Sequence, residues 1–466
     1  MKSAAFHTLG CKVNSYETEV MMQKLQEKGY HIVPFDEAAD VYIVNTCTVT
    51  NIADRKSRQM LHRAKQKNPD AVVVAAGCYA QTGADSMEKD DSVDLIIGND
   101  RKSEIAEILE RFLAQREENR LSSAGSEGGG QADKTLGGST LTDIAHTSRY
   151  EEMQLKQTLE HTRAYIKIQD GCNQFCSYCA IPLARGRVRS RGAEDILREI
   201  RGLTEKGYRE VVLTGIHLSS YGMDFQGGKA SRSALFDLLE QIHEIQGLKR
   251  IRLGSLEPRI ITEETVRRLK ALPKLCPHFH LSLQSGCDAT LKRMNRHYTC
   301  GEYYESVEHL RKAFDHPAVT TDVIVGFPGE TEEEFLTTKK FLEAVEFYEM
   351  HVFKYSRRNG TAAAVMPGQV PEEVKAGRSD ILLELEKRQS EKFRSRYIGK
   401  CAEILIEEKK TIRNREYFLG HTGDYVKIAL SARPKAAERG GLQTVSVKEF
   451  LTGEILLGDE VCRTPV

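Results

Sequence analysis

Gly171-Cys172-Asn173-Gln174-Phe175-Cys176-Ser177-Tyr178-Cys179 carries three cysteines in nine residues, spaced C-x3-C-x2-C. Three thiolates on one short loop can hold three irons of a [4Fe–4S] cube and leave the fourth iron without a protein ligand. An open iron is a place for a small molecule to bind, as the open position of a catalytic zinc is. A zinc site or a set of structural thiols is the alternative. A zinc site would normally take a fourth Cys or His, and none follows at a usual spacing. The loop comes directly after an apolar strand, Tyr165-Ile166-Lys167-Ile168.

Outward from that strand, six strand candidates recur at 164–169, 209–214, 249–253, 278–283, 319–325 and 349–355, with helical patterns between them. Thr331 and Glu334 make a capping box at the head of one helix. Six such units predict a partial (β/α) barrel, followed by a charged helix from about Pro371 to Tyr397. Upstream, apolar runs at Ala4–Leu9, Val41–Asn45, Ala71–Ala76 and Val93–Ile97 read as buried parallel strands. Helices near Asn14, a plausible N-cap, and from Ala53 to Lys67 alternate with them, a doubly wound pattern. Downstream, short strands at Ala402–Ile406, Tyr417–Leu419, Tyr425–Leu430, Thr444–Val447 and Glu454–Leu457, parted by glycines, predict a small β-barrel. Glycine- and serine-punctuated sequence from about Ala114 to Met153 reads as a flexible linker or a surface excursion. The expected fold class is therefore α/β, in four parts: a parallel-sheet domain over 1–114, a linker over 115–157, the partial barrel over 158–397 and a terminal β-barrel over 398–466.

At 466 residues the chain is too long for one core. Net charge is zero, so any nucleic-acid contact must come from a local patch. No apolar run approaches the ~18 residues of a membrane span, and no signal peptide is read at the N-terminus. The expected location is a reducing cytoplasm without membrane association. Eleven cysteines there argue for metal or catalysis rather than disulfides.

A second set, Cys11, Cys47 and Cys78, is scattered in sequence, yet each follows a strand: Phe6-His7-Thr8-Leu9-Gly10-Cys11, Ile43-Val44-Asn45-Thr46-Cys47 and Val73-Val74-Ala75-Ala76-Gly77-Cys78. Residues past the carboxyl ends of parallel strands gather along one edge, where ligands bind. These thiols should therefore converge, either as a second three-ligand cluster site or as buried structural cysteines. Cys276, Cys287, Cys300, Cys401 and Cys462 make no ligand spacing and read as structural. Arg185, Arg187, Arg189 and Arg191 alternate after the loop with no intervening acid. That row suits an RNA backbone, or pairing with carboxylates.

The C-x3-C-x2-C loop after a strand resembles the signature of radical S-adenosylmethionine (SAM) enzymes. With Thr8-Leu9-Gly10-Cys11-Lys12-Val13-Asn14, Asn45-Thr46-Cys47-Thr48-Val49-Thr50 and Gly77-Cys78-Tyr79-Ala80-Gln81, nearly the whole chain resembles radical-SAM methylthiotransferases, and its terminal barrel resembles a TRAM RNA-binding domain. Gly215-Ile216-His217-Leu218 and the Thr-Val-Thr after Cys47 look like the branch acting on N6-threonylcarbamoyladenosine in tRNA. Other branches act on isopentenyl-adenosine or a ribosomal-protein aspartate. The resemblance implies two [4Fe–4S] clusters and SAM. Cys172, Cys176 and Cys179 would hold the cluster that cleaves SAM to a 5′-deoxyadenosyl radical. Cys11, Cys47 and Cys78 would hold the one that carries the sulfur. It also implies that the Thr214-Gly215 turn binds the methionine amino group, that Ser255 and Glu257 suit the ribose hydroxyls, that Val325-Gly326 faces adenine, and that Gln284, in Leu283-Gln284-Ser285-Gly286, lies among the cofactor-binding residues. Implied partners are the tRNA anticodon arm, an electron donor such as a flavodoxin or ferredoxin, and a sulfur donor. The rival from another class is a non-catalytic Fe–S RNA-binding sensor.

Overall fold

The computed structural model describes residues 2–123, 140–158, 162–225, 231, 233–431 and 440–459. It divides into two compact units. One comprises Met1–Lys156, Gln169–Arg191 and Ser356–Ala364; the other comprises Gln157–Ile168, Gly192–Tyr355 and Val365–Val466.

The first unit runs β1 (Ser3–Thr8), α1 (Lys12–Glu27), β2 (His31–Val33), β3 (Val41–Thr46), α2 (Asn51–Lys67), β4 (Val72–Gly77), α3 (Cys78–Thr82), α4 (Ala84–Met87), β5 (Leu95–Ile97) and α5 (Ile105–Ser123). The strands form one parallel sheet in the order β2-β1-β3-β4-β5. Strands β3 and β4 are buried at every residue, as strands covered on both faces must be. Their side chains alternate between two layers. Val41, Ile43, Val72 and Val74 pack with Met21 and Leu25 of α1 and Leu109 of α5. Tyr42, Val44, Val73 and Ala75 pack with Leu61 and Ala64 of α2. This is the doubly wound arrangement expected. Three details differ. The short edge strand β2 carries only partly covered side chains and left no apolar run to read. Helix α1 begins at Lys12 with Cys11 at its N-cap, so Asn14 lies inside the first turn rather than capping it. Thr50 caps α2, its side chain accepting from the Ala53 N–H.

The segment expected to be a flexible linker, 115–157, is ordered where it is described. Helix α5 carries it to Ser123. Farther on, Ile144, Tyr150, Met153 and Leu155 are buried. Tyr16 donates to the Met153 carbonyl (2.8 Å), and the Ser103 N–H donates to Glu151 (2.6 Å). Apolar residues spaced through a polar stretch are what anchor it. The glycine runs of the linker, residues 124–139, lie outside the described residues.

Strand β6 (Ala164–Asp170) straddles the division, its last two residues counting with the first unit. There they pair antiparallel with β7 (Arg189–Ser190), after α6 (Ile181–Arg185). The second unit continues with α7 (Ala193–Glu205), β8 (Glu210–Gly215), α8 (Ala234–His243), β9 (Arg250–Leu253), α9 (Glu263–Lys270), β10 (His278–His280), α10 (Asp288–Arg293), α11 (Cys300–Ala313), β11 (Ala318–Val325), α12 (Glu332–Val345) and β12 (Glu349–Lys354). Strands β6, β8 and β9 are neighbours, as are β10, β11 and β12. Single parallel bridges, Ile251↔Leu275 and Leu256↔Leu281, continue the order between them. Ile166, Leu213, Ile251, Phe279, Val323 and Met350 point into one core with the helices. The alternate residues, among them Arg252, His280, Asp322 and His351, make a polar inner face. The Thr331–Glu334 capping box is present.

Helix α13 (Glu372–Ser395) leads to five strands: β13 (Cys401–Ile412), β14 (Arg415–His421), β15 (Lys427–Leu430), β16 (Leu442–Phe450) and β17 (Leu456–Asp459). They close into a barrel in the order β13-β14-β15-β17-β16. Arg413 and Asn414, both at positive φ, make the two-residue turn between β13 and β14. Arg252 anchors the barrel inside this unit by donating to the carbonyls of Gly423 (2.8 Å) and Thr422 (3.2 Å). Cys401 is disulfide-bonded, against the expectation of a chain without disulfides.

Candidate functional site

The C-terminal ends of β1, β3 and β4 deliver Cys11, Cys47 and Cys78 to one edge of the first sheet. Burial of the sulfurs, and after it the nearness of Cys78, work to raise the pKa of Cys11 and Cys47. Gly10, at φ +101°, holds the turn before Cys11. A Cβ there would lie 2.9 Å from the Cys47 sulfur, so the sequence needs glycine to bring the two strand ends together. Cys47 and Cys78 are buried and Cys11 is exposed. Burial pushes the Cys47 thiol up to about 12. Metal binding would have to release that proton.

Above this edge lies a buried ionic network that no sequence spacing announced. Arg185, at the end of α6, is fully buried. Its Nε donates to the Cys78 sulfur (3.3 Å). Its Nη1 donates to both Asp170 oxygens (3.0 Å) and to Glu17 (2.9 Å). Its Nη2 donates to Asn14 (2.7 Å) and Glu17 (3.0 Å). Lys102 is buried against Glu17, and Arg189 lies 3.8 Å from Asp170. Burial alone would lower the pKa of Arg185, but Asp170, Cys78 and Glu17 hold it well above the ordinary value. Asn14 completes the frame by donating to the carbonyls of Leu9 (2.6 Å) and Thr46 (3.0 Å), one beside each of two cysteine turns.

Of the two readings of the arginine row, pairing with carboxylates holds for three of its members. Arg185, Arg189 and Arg191 are buried and serve carboxylates, Arg191 reaching Glu152 at 3.4 Å. Only Arg187 is exposed, its guanidinium 4.4 Å from the ring centre of the exposed Phe175. Arginines in regular alternation look alike whether they face solvent or acids, and the acids here lie far off in sequence or before the loop.

Cys172, Cys176 and Cys179 sit on the loop that leaves β6, all partly exposed. The loop is held at both ends: the Cys172 N–H donates to the Gly186 carbonyl (3.1 Å) and the Cys179 N–H to the Cys176 carbonyl (3.0 Å). The donor set of each triad, thiols alone, suits a soft iron–sulfur group. The Ser356-Arg357-Arg358-Asn359-Gly360-Thr361 stretch, to which the sequence assigned no role, belongs to the same unit. Arg358 binds Thr48 (2.6 Å), Asn51 (2.7 Å) and Asp54 (2.7 Å), fixing the turn after Cys47.

In the second unit, Thr214, Gly215, Ser255, Glu257 and Gln284 lie at or just past the ends of neighbouring strands. Thr214 and Glu257 are buried, Ser255 is exposed, and Gln284 is buried at φ +72°. Burial works to raise the pKa of Glu257, but His217 (3.5 Å) and Arg259 (2.9 Å) outweigh it and hold the carboxyl at about 2. The sequence singled out both Glu257 and His217 without pairing them. Val325 is turned into the hydrophobic core, and its carbonyl accepts from the Tyr355 N–H (2.9 Å). Gly326 (φ +70°) is required by packing, since a Cβ would overlap Lys375 of α13. On the polar inner face, Asp322 accepts from His280 (3.2 Å) and His351 (3.1 Å), a cluster the sequence did not assemble. Both histidines hold its carboxyl below the usual range against the opposing effect of burial.

Residues 3–98 match the uncharacterized protein family UPF0004, and residues 166–342 match the radical SAM superfamily. The chain is 40% identical over 430 residues to the threonylcarbamoyladenosine tRNA methylthiotransferase MtaB of Bacillus subtilis (strain 168), covering 92% of this chain and 90% of the relative. It is 35% identical over 426 residues to the tRNA-2-methylthio-N(6)-dimethylallyladenosine synthase of Methylacidiphilum infernorum (isolate V4), covering 91% and 87%. Among solved structures, the radical S-adenosylmethionine methyltransferase TsrM of Kitasatospora setae, with cobalamin and a [4Fe–4S] cluster bound, aligns with a TM-score of 0.54 at 15% identity. The alignment covers 78% of this chain and 77% of that one, a likeness of fold.

Proposed function

The chain belongs to the radical-SAM methylthiotransferase family, and from that premise we propose that it methylthiolates carbon 2 of N6-threonylcarbamoyladenosine just 3′ of the tRNA anticodon. The observation that carries the chemistry is the pair of thiol triads in one compact unit, one on a loop and one assembled from three strand ends. We assign each a [4Fe–4S] cluster. When bound, these clusters supply an open iron and an electron for SAM on Cys172, Cys176 and Cys179, and a carrier for the sulfur on Cys11, Cys47 and Cys78. One SAM would methylate the sulfur and a second would open the C–H bond. That bond is not acidic, and no side-chain base could remove its proton at neutral pH.

The chain's own residues hold and orient the reactants. Thr214, Gly215, Ser255, Glu257, Gln284 and the backbone at Val325 and Gly326 are assigned to SAM. The anticodon loop is single-stranded and can present the base splayed out. The β13–β14 hairpin, with Lys409, Lys410, Arg413 and Arg415, is assigned to the anticodon arm. An external electron donor and a sulfur donor are required, and the reading places the enzyme in the cytoplasm. Among the described residues no helix is long and apolar enough to cross a membrane.

The threonylcarbamoyl substrate is supported by the MtaB relatives of Bacillus subtilis, Aquifex aeolicus and Thermotoga maritima, at 38–40% identity. Nucleoside mass spectrometry of tRNA from a strain lacking this chain, beside the complemented strain, tests it. Loss of methylthio-threonylcarbamoyladenosine with accumulation of its parent is the expected result. Loss of the methylthio-isopentenyl nucleoside instead would move the substrate to the other tRNA branch. Unchanged tRNA would overturn the tRNA reading.

A further inference from the structure

We infer that Arg185 is a positioning residue for the first cysteine site, tying its three ligand turns together and raising the reduction potential of the group they hold. This rests on the assignment of a [4Fe–4S] cluster to Cys11, Cys47 and Cys78.

The geometry leaves the guanidinium one orientation. Asp170, Glu17 and Asn14 take both terminal nitrogens, so Nε faces the Cys78 sulfur at 3.3 Å. Arg185 touches the Cys78 turn directly. Through Asn14 it reaches the backbone beside the Cys11 and Cys47 turns.

Charge points the same way. Arg185, Arg189 and Lys102 lie buried with Glu17 and Asp170, and the Arg185 guanidinium is bonded to a ligand sulfur. A [4Fe–4S]2+ cube with three thiolates is formally an anion, and reduction adds a second negative charge. A buried cation hydrogen-bonded to a ligand sulfur makes that added electron less costly, so the potential rises. A purely structural ion pair would hold the fold and leave the potential unmoved.

The test uses the full-length chain with Cys172, Cys176 and Cys179 all replaced by Ala, so that only the first site can hold a cluster. After anaerobic reconstitution with iron and sulfide, EPR-monitored titration with dithionite reads its midpoint potential. Arg185→Gln should shift the one-electron equilibrium at least tenfold against reduction, 59 mV. Arg185→Lys, which keeps the charge and loses the fork, should shift it less in the same direction. Glu17→Gln should shift it the opposite way. Where Arg185→Gln fails to retain iron, the other two variants decide. Full iron content with unshifted potentials overturns the role of Arg185 and leaves the cluster assignment standing. A parent variant that binds no iron overturns the cluster assignment, and the role of Arg185 with it.

Discussion

The two thiol triads reach the same donor set by opposite routes. Cys172, Cys176 and Cys179 are neighbours in sequence on one partly exposed loop, bonded at its ends and, at Ser177, by the Ala363 N–H (2.7 Å). Cys11, Cys47 and Cys78 are neighbours only because three parallel strands end together, and a fully buried ionic network stands over them. A loop site is written in spacing. A scaffold site is written in topology, and its precision depends on residues that hold its ligands from distant parts of the sequence.

Four substitutions would break or sharpen that contrast. Cys176→Ala has the largest expected effect: no 5′-deoxyadenosine from SAM and no methylthio product, read by chromatography of an anaerobic reaction. Cys47→Ala should separate the sites. About half the iron is lost, SAM cleavage persists under a strong reductant, and product is absent; full product formation would remove the first unit from the chemistry. Gly10→Ala should destabilise the apo chain by about 1–3 kcal/mol, through its positive φ and the approach to the Cys47 sulfur. Denaturant unfolding reads it, and an unchanged midpoint would mean that the scaffold is less tight than its geometry. The smallest effect is expected on the loop side. Arg187→Ala should cost at most about 1 kcal/mol of stacking on Phe175. It should also lower the salt slope of tRNA binding by about one phosphate contact. A slope unchanged within error would take Arg187 away from RNA.

Legibility followed the same divide. The parallel strands, the six barrel strands and the terminal barrel were readable because buried strands are apolar runs and turns are marked by glycine. Convergence of Cys11, Cys47 and Cys78 followed from their places after strands alone. Pairing across the fold was not readable. Asn14 looked like a helix cap because its residue type fits one, yet its side chain is committed to Leu9, Thr46 and Arg185. The arginine row looked like an RNA track because Glu17, the partner of Arg185, lies 168 residues away. The span 140–156 looked like a linker because its few apolar residues show neither helical nor strand period.

The Arg185 cation over the first triad also bears on the life of the chain before it is loaded. An anionic cluster on the first triad, as proposed, would complement that cation, so the loaded protein would be the more stable form. Filling the site then acts as any ligand that binds only the folded state, drawing the equilibrium away from the open chain. Protease resistance, and with it the lifetime of newly made protein, would rise with the supply of iron and sulfide.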